Sequence, residues 1–312
     1  MKKVLVTCPP MLGMIEEFIE PAKLLGIELV PAKTTQVLTE KELIELVPNY
    51  QGWIIGDDPA NRQVFEAGIK GELKAAVKWG IGVDNVDFVA CEELGIPIIN
   101  TPNMFGGEVA DVGMALLLGL ARQTYYIDRE IRANHLWPKP AGMSVSGKHV
   151  GVVGFGDIGE SLVKRLSGFD VDVTVYDPGV IGNKGYKHVK RAEFPDDVGE
   201  LDFLVFTCAL NKKNYHMLNA EVISKLKQGV MIVNVARGPL IDEAALIDAL
   251  QKGHIAAVGL DVFEVEPLPT NSPLRDMPQC ILSSHNGSNT KEGVRRATQK
   301  AISHIAEFLN TK

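Results

Sequence analysis

The chain contains 312 residues, of which 46% are hydrophobic and 23% charged, and this composition excludes a disordered or fibrous protein. The formal net charge is −7 with scattered Lys and Arg residues, which argues against a surface that neutralises nucleic-acid phosphates. A chain of this length predicts two domains.

The first third of the chain alternates short Val- and Ile-rich runs with helix-length segments. Beginning with a strand, these segments are 4–7, 15–25, 28–30, 40–47, 52–56, 60–68 and 74–79. Strands that are separated by helices predict βαβ units and a parallel sheet.

A second series of strands predicts another α/β unit. Its strands are expected at 148–154, 171–177, 203–208, 231–236, 256–262 and 281–284. Between the two series lie an apolar helical segment at about 108–123 and a Pro- and Gly-rich loop at 133–147. The chain is expected to enter the second unit near 100–102, and the amphipathic final segment, 291–309, is expected to return to the first unit as a helix.

The cysteines and the apolar segments give expectations about location. Four cysteines lie far apart without metal-ligand spacing, and they are Cys8, Cys91, Cys208 and Cys280. They predict reduced thiols and no metal site. No secretory segment or anchor is recognised near Met1, and the most apolar stretch, 112–121, is shorter than the roughly 20 residues that span a membrane. We therefore expect a cytoplasmic protein without a membrane partner.

A glycine-rich motif lies at the end of the strand 148–154 and directly precedes a helical segment. It has the spacing G-x-G-x-x-G and consists of Gly154, Phe155, Gly156, Asp157, Ile158 and Gly159. In this context the first glycine permits a tight turn, the second lets the backbone approach a pyrophosphate, and the third lets the helix pack close to the strand. The motif predicts a dinucleotide site; the alternative is that these glycines only shape a turn.

An acidic residue follows the next predicted strand at a distance that fits this motif. Asp177 lies 18 residues past Gly159, close to the separation of about 20 that dinucleotide sites show. Its carboxylate would accept hydrogen bonds from a ribose diol and repel a 2′-phosphate, so NAD is favoured over NADP. The alternative is that Asp177 simply ends a strand.

Three chemically matched residues follow later predicted strands. They are Arg237, Glu266 and His285. Because the carboxyl ends of parallel strands open onto the ligand crevice, all three could converge on the nicotinamide. Each alone has a simpler interpretation, namely a surface ion pair, a solvated acid and a packed histidine.

Beyond these residues, the sequence carries a series of motifs over nearly its whole length. The motifs are Gly-Ile-Gly-Val-Asp-Asn-Val-Asp at 80–87, Asn-Thr-Pro at 100–102, Val-Ala-Asp at 109–111, the glycine motif, Asn-Val-Ala-Arg-Gly at 234–238, Gly-Leu-Asp-Val-Phe-Glu at 259–264, Glu-Pro at 266–267 and Ser-His at 284–285. In these motifs and in their order the sequence resembles the D-isomer-specific 2-hydroxyacid dehydrogenases and, within that family, the phosphoglycerate dehydrogenase-like branch.

The resemblance implies two doubly wound parallel-sheet domains of the α/β class. A Rossmann NAD-binding domain, 101–285, would be inserted in a flavodoxin-like substrate-binding domain formed by 1–100 and 286–312. Arg237 would grip the substrate carboxylate and the C2 oxygen with its fork of donors. His285 would exchange a proton with that oxygen, and Glu266 would fix the tautomer of the imidazole and favour its protonated form.

The resemblance also implies binding residues. Asp261 would contact the nicotinamide carboxamide, and backbone groups of four residues would line the cofactor, namely Thr207, Cys208, Val235 and Ala236. Ile81 and Gly82 would offer backbone N–H groups to the substrate carboxylate. Many relatives have an Arg and a small residue where this chain has Lys78 and Trp79. Lys78 keeps a positive charge that suits a phosphate or second carboxylate, whereas Trp79 either narrows the pocket or lies in the core.

The leading hypothesis is an NAD-dependent oxidoreductase that acts at C2 of a small anionic 2-hydroxy or 2-oxo acid, with 3-phosphoglycerate as the first substrate to try. An alternative is an NAD-sensing scaffold that resembles corepressors and lacks turnover, and a third is a related NAD enzyme that acts on an inorganic oxyanion. The apolar helix at 112–121, with Leu116, Leu117, Leu118 and Leu120, predicts a homodimer; burial inside one subunit is the alternative.

Overall fold

The computed structural model describes residues 1–180 and 182–311, which divide into two compact units. Unit 1 comprises Met1–Phe105 and Asn289–Lys312, and unit 2 comprises Gly106–Ser288. Both crossings lie a few residues later than expected. At the first crossing, Thr101 hydrogen-bonds Gly80 in both directions, so the segment after 100 stays with unit 1. At the second, the backbone N–H groups of residues 286 and 287 bind a carboxylate of unit 2.

Unit 1 is built on a sheet of five parallel strands with helices between them. Its elements are β1 (Lys2–Val6), α1 (Pro9–Leu12), α2 (Glu16–Leu24), β2 (Ile27–Pro31), α3 (Glu40–Leu46), β3 (Gly52–Ile55), α4 (Arg62–Lys70), β4 (Ala75–Lys78), α5 (Phe88–Glu93), β5 (Ile98–Asn100) and, after unit 2, α11 (Lys291–Asn310). The strand order is β2-β1-β3-β4-β5, which is the flavodoxin-like order.

The central strand β3 of unit 1 is apolar along its whole length because the sheet is covered on both faces. Trp53, Ile54 and Ile55 of β3 are fully buried. The final helix α11 packs against β3 and β4, so the return of the chain to the first sheet is as predicted. Thr290 caps this helix by accepting a hydrogen bond from the Gly293 N–H group.

Unit 2 is built on a sheet of seven parallel strands. Its elements are α6 (Gly106–Arg122), α7 (Thr124–Ala133), β6 (His149–Val153), α8 (Asp157–Leu166), β7 (Asp172–Tyr176), β8 (Val189–Ala192), β9 (Phe203–Phe206), α9 (Ala220–Lys225), β10 (Val230–Asn234), α10 (Glu243–Gln251), β11 (Ile255–Leu260) and β12 (Cys280–Leu282). The strand order is β12-β11-β10-β9-β6-β7-β8. The order reverses between β6 and β9, and such switch points hold the ligand crevice of a doubly wound sheet. The predicted fold class is confirmed.

The apolar segment at 108–123 forms the helix α6, as predicted, and a second helix, α7, follows it. Gln123 adopts a left-handed backbone conformation with φ of 54° and separates α6 from α7. Helix α6 packs against α8, β10 and β11, and Leu116, Leu117 and Leu120 are buried within unit 2. These leucines are therefore covered by their own chain, which was the alternative to a dimer face. Among the described residues, no helix combines the length and apolarity that membrane crossing needs.

Candidate active site

The glycine motif forms the turn between β6 and α8, and each glycine has a separate steric reason. Gly154 has φ of 97°, and a Cβ there would lie 2.7 Å from the backbone of Cys208. A Cβ on Gly159 would lie 2.0 Å from the carbonyl oxygen of Gly154, so only glycine lets the helix approach the strand. A Cβ on Gly156, in contrast, would meet nothing within 4 Å. That open space is where the backbone can approach a ligand.

The start of α8 provides the groups that a pyrophosphate needs. Gly156 is its N-cap residue and offers no side-chain oxygen to the first N–H groups of the helix. Asp157 and Ile158, the first two residues of α8, are both partly buried. Phe155 is fully buried and anchors the turn. We call the turn at 154–159 together with the start of α8 the cofactor cradle. It fits a dinucleotide, because N–H groups at a helix N-terminus bind anions.

Asp177 follows β7 and lies beside this turn. One carboxylate oxygen accepts a hydrogen bond from the Phe155 N–H at 2.7 Å, and the other accepts one from the Gly179 N–H at 2.8 Å. Each oxygen keeps a second lone pair, so the carboxylate can still accept from a ribose diol.

Two basic residues beside the turn were not predicted from the sequence. Lys184 donates from Nζ to the Phe155 carbonyl at 2.8 Å and forms an ion pair with Glu160 at 2.6 Å. Arg191 donates to the Asp177 carbonyl at 2.9 Å. They belong to no motif, so only the fold reveals that they border the cofactor cradle.

The end of β9 closes the other side of the glycine motif. The hydroxyl of Thr207 donates to the carbonyl oxygens of Val153 at 3.1 Å and Gly154 at 2.9 Å. Burial raises the pKa of Cys208 to about 12, and the negative charge of Asp177 adds to the shift. The thiol is therefore protonated at neutral pH, and Cys208 can line a site but not act as a thiolate nucleophile.

The loop after β10 carries Arg237 and is shaped by a side chain that the prediction did not include. Asn234 is buried, donates to the Arg237 carbonyl at 2.8 Å and accepts from the Ala236 N–H at 3.0 Å. Val235 and Ala236 are buried between them, and Arg237 donates from Nη1 to the Ala236 carbonyl at 2.8 Å. Because Asn234 lies in the motif at 234–238, the sequence did contain a signal for its role.

His285 and Glu266, predicted as an acid/base pair, lie together in unit 2. Nδ1 of His285 is 2.7 Å from Oε2 of Glu266, and each side chain keeps 22% of its surface exposed. The other carboxylate oxygen of Glu266 accepts from the Phe263 N–H at 2.9 Å. The carboxylate is thus oriented by the backbone of its own loop before it meets the imidazole.

Asp261 holds the loop that carries the histidine. It is 1% exposed, and its two carboxylate oxygens accept from the N–H groups of Asn286 at 3.0 Å and Gly287 at 2.9 Å. The N–H of His285 itself donates to the Asp261 carbonyl at 2.7 Å. A Cβ on Gly287 would lie 2.9 Å from this carboxylate. The structure therefore gives Asp261 a positioning role, and its contact with a carboxamide stays a prediction.

The predicted substrate residues Lys78 and Trp79 lie at the end of β4 in unit 1, where both are buried. Lys78 is 2% exposed and donates from Nζ to the Gly56 carbonyl at 2.6 Å and to Asp57 at 3.0 Å. Trp79 is 5% exposed, and its Nε1 donates to the Thr298 hydroxyl at 3.1 Å. The ammonium charge is thus already compensated, and the indole belongs to the core of unit 1.

Ile81 and Gly82, in contrast, lie in an accessible turn. Asn100 donates to the Ile81 carbonyl at 3.2 Å, and Gly80 begins the turn with φ of 108°. Ile81 is 40% exposed. Within 1–180 and 182–311, the N–H groups of Ile81 and Gly82 have no protein acceptor. This turn keeps the donors that its predicted role requires.

One protein-family model matches a large part of the chain. The model described as "D-isomer specific 2-hydroxyacid dehydrogenase, NAD binding domain" matches residues 114–287, which is more than half of the chain. The chain belongs to the D-isomer specific 2-hydroxyacid dehydrogenase family. This confirms the resemblance and NAD as the predicted cofactor, and the matched range lies within unit 2.

Individual members of the family are similar over most of this chain. The D-3-phosphoglycerate dehydrogenase of Mycobacterium leprae is 37% identical over 72% of the chain, but the chain spans only 43% of that protein. The hydroxypyruvate reductase of Thermotoga maritima is 33% identical over 88% of the chain and 90% of its own length. Among solved structures, a glyoxylate reductase from Paecilomyes thermophila aligns with a TM-score of 0.84 at 27% identity, covering 99% of this chain and 96% of that one.

Proposed function

We propose that this protein is an NAD-dependent dehydrogenase that interconverts a small 2-hydroxy acid and the corresponding 2-oxo acid. The observation that carries the proposal is the 2.7 Å contact between Nδ1 of His285 and Oε2 of Glu266, in the unit that also holds the glycine motif. A partly exposed imidazole with an oriented carboxylate partner is an acid/base couple that can work near neutral pH.

His285 is assigned the proton transfer. Because Glu266 engages Nδ1, Nε2 is the ring nitrogen that would give a proton to the C2 oxygen during reduction and take it back during oxidation. The positive charge that the ring carries before donation is stabilised by the Glu266 carboxylate. Asp261 and Gly287 fix the loop, so the imidazole is oriented before substrate arrives.

Arg237 is assigned to the substrate carboxylate and C2 oxygen, because a guanidinium presents several donors in one plane. Asn234 positions it by holding the backbone of the same loop. NAD, when bound, accepts or supplies the hydride. The glycine motif would hold its pyrophosphate and Asp177 its adenosine ribose, with Thr207, Cys208, Val235 and Ala236 lining the remainder and Asp261 reaching the carboxamide.

The substrate class proposed is a small 2-oxo acid without a required distal phosphate. Ile81 and Gly82 would bind the substrate carboxylate through their N–H groups. Lys78 is not assigned to a second anionic group of the substrate, because Gly56 and Asp57 already bind its ammonium group. Trp79 is likewise assigned to folding rather than to substrate contact.

A panel of 2-oxo acids with NADH tests the proposal. Glyoxylate, hydroxypyruvate, pyruvate and 3-phosphohydroxypyruvate are mixed with protein, and the loss of NADH absorbance is followed. Turnover of at least one short acid, with no dependence on a phosphate group, is expected. If NADH binds but no acid is reduced, the enzyme proposal fails and a scaffold that only senses NAD is favoured.

We also propose that the protein forms a homodimer, through α7 and its surroundings rather than through the leucines of α6. Helix α7 buries no residue within the monomer, and Tyr125 on it is 50% exposed. Beside it lies an apolar groove of about 310 Å³. In the loop that follows, Leu136 is 54% and Trp137 77% exposed. Analytical ultracentrifugation should find a dimer, and Trp137→Asp should yield monomers; a monomeric wild type contradicts the proposal.

A further inference from the structure

A histidine and two carboxylates form a cluster in unit 2 that the proposed reaction does not use. The residues are His216, Asp242 and Glu264, and one nitrogen or oxygen atom from each lies within 4.8 Å of the other two. All three residues are partly buried. They come from three separate segments, namely the loop before α9, the N-cap of α10 and the loop after β11.

The backbone holds two of these segments side by side. The N–H of His216 donates to the Pro239 carbonyl at 2.8 Å, and the N–H of Leu218 donates to the Leu240 carbonyl at 3.1 Å. The N–H of Asp242 then donates back to the Leu218 carbonyl at 3.0 Å. This short parallel ladder fixes the imidazole next to the N-terminus of α10 without any contribution from a ligand.

The carboxylates are oriented by backbone donors as well. Asp242 accepts from the Ala245 N–H at 3.0 Å as the cap of α10. Glu264 accepts from the Glu243 N–H at 3.2 Å, and its own N–H donates to the Glu243 carboxylate at 3.3 Å. A carboxylate has about four acceptor positions, so each keeps the capacity to bind a cation.

The imidazole of His216 faces the carboxylate of Glu264. Nε2 of His216 is closed to solvent and makes no hydrogen bond, although it lies 2.6 Å from Oε1 of Glu264. The two atoms are close but not aligned as donor and acceptor. Two ligands of a tetrahedral zinc ion, with bonds of about 2.0–2.1 Å, lie about 3.3 Å apart, so the imidazole and the carboxylate would separate by less than about 1 Å to admit the ion. The Tyr215 ring stacks on the imidazole at 4.0 Å and fixes its plane.

We propose that His216, Asp242 and Glu264 bind a divalent transition-metal cation of the zinc type. One imidazole nitrogen and two carboxylate oxygens are a ligand set that Zn²⁺ accepts, with a fourth position for water. The ion joins the three segments, and it reaches Glu264 two residues before Glu266. It therefore stabilises the fold of unit 2 around the loop that orients the acid/base pair.

Metal binding by the full-length protein tests this proposal. Protein stripped with chelator is dialysed against buffered Zn²⁺, and bound metal is counted by elemental analysis. The wild type is expected to hold a zinc ion that His216→Gln, Asp242→Asn and Glu264→Gln each hold at least about tenfold more weakly. Asn is a good N-cap, so Asp242→Asn keeps α10 intact. His188→Gln, at an exposed histidine of the same unit, is the matched control and should bind as the wild type does.

Two further measurements exclude binding at other places. The thermal midpoint of the wild type and of His188→Gln should rise by a few degrees in saturating Zn²⁺, and that of His216→Gln should not. Co²⁺ in place of Zn²⁺ should give a visible spectrum without thiolate charge-transfer bands. Zinc stoichiometry and affinity that are equal in the wild type and in all three ligand variants overturn the proposal, as does a wild type that retains no zinc.

Discussion

The loops that follow the strands of the two sheets differ in how deeply their charged side chains are buried. In unit 1, Lys78 and Asp58 are almost completely buried. Lys78 donates hydrogen bonds to Gly56 and Asp57, and Asp58 accepts hydrogen bonds from N–H and O–H groups. Burial raises the pKa of the Asp58 carboxyl above its ordinary value. In unit 2, His285 and Glu266 form a pair of which 22% of each side chain stays exposed.

The difference teaches how to separate supporting residues from reacting ones. A buried ion whose donors and acceptors are already bound stabilises or shapes the fold, because releasing it to bind a substrate would cost those contacts. A charged pair that is oriented by the backbone but still accessible can exchange a proton with a ligand. Mutations of the buried residues in unit 1 should therefore change the stability of the fold, whereas mutations of the accessible pair in unit 2 should change the reaction rate.

The largest effect is expected at the histidine. His285→Gln should lower kcat by about a thousandfold, because the proton donor is lost while the cofactor cradle is intact. Steady-state kinetics and a fluorescence titration with NADH measure the two quantities separately. His188→Gln serves as control, and a parallel loss of NADH affinity in His285→Gln would contradict the assignment.

Trp79→Ala should act on stability instead. Removing a large buried side chain is expected to lower the free energy of unfolding by about 4 kcal/mol, measured by urea denaturation. Trp79→Phe should cost about 2 kcal/mol, since it removes the hydrogen bond from Nε1 to the buried Thr298 hydroxyl and leaves a small cavity. An unchanged stability with an altered KM for the 2-oxo acid would return Trp79 to the substrate site.

Glu266→Gln should have a smaller effect on turnover than His285→Gln, because the imidazole remains. Without an anionic partner the ring protonates less readily, so the fall of the oxidation rate at low pH should move to lower pH. The pH–rate profile of the wild type is the reference. A profile of unchanged shape and position would remove Glu266 from the pair.

The smallest effect is expected at Asp177. Asp177→Ala should narrow the preference for NAD over NADP by about tenfold, since the acid that repels a 2′-phosphate is gone. The ratio of kcat/KM values for the two cofactors measures it. Because the two oxygens of Asp177 also accept from the Phe155 and Gly179 N–H groups, the thermal midpoint of Asp177→Ala is measured beside the ratio to detect a general disturbance of the turn. An unchanged ratio would contradict the ribose contact.

Prediction from sequence was most complete where a motif is local. The glycines at 154, 156 and 159 each meet the steric requirement that their spacing predicts. The two α/β units and the return of the final helix were also predicted, because periodicity and turn residues are visible along the chain. The edge strand β8, which reads Val-Lys-Arg-Ala, was missed because exposed edge strands carry little apolar signal.

What lies next to what was decided only by the tertiary structure. The indole of Trp79 finds its acceptor 219 residues away on Thr298, and Lys78 finds Asp57 on the neighbouring strand end. His216, Asp242 and Glu264 likewise come together from three loops. Local patterns specify backbone conformation, and through it the family and the cofactor cradle. Whether a charged or aromatic side chain is a reagent or a support depends on burial and on remote partners, which no local pattern contains.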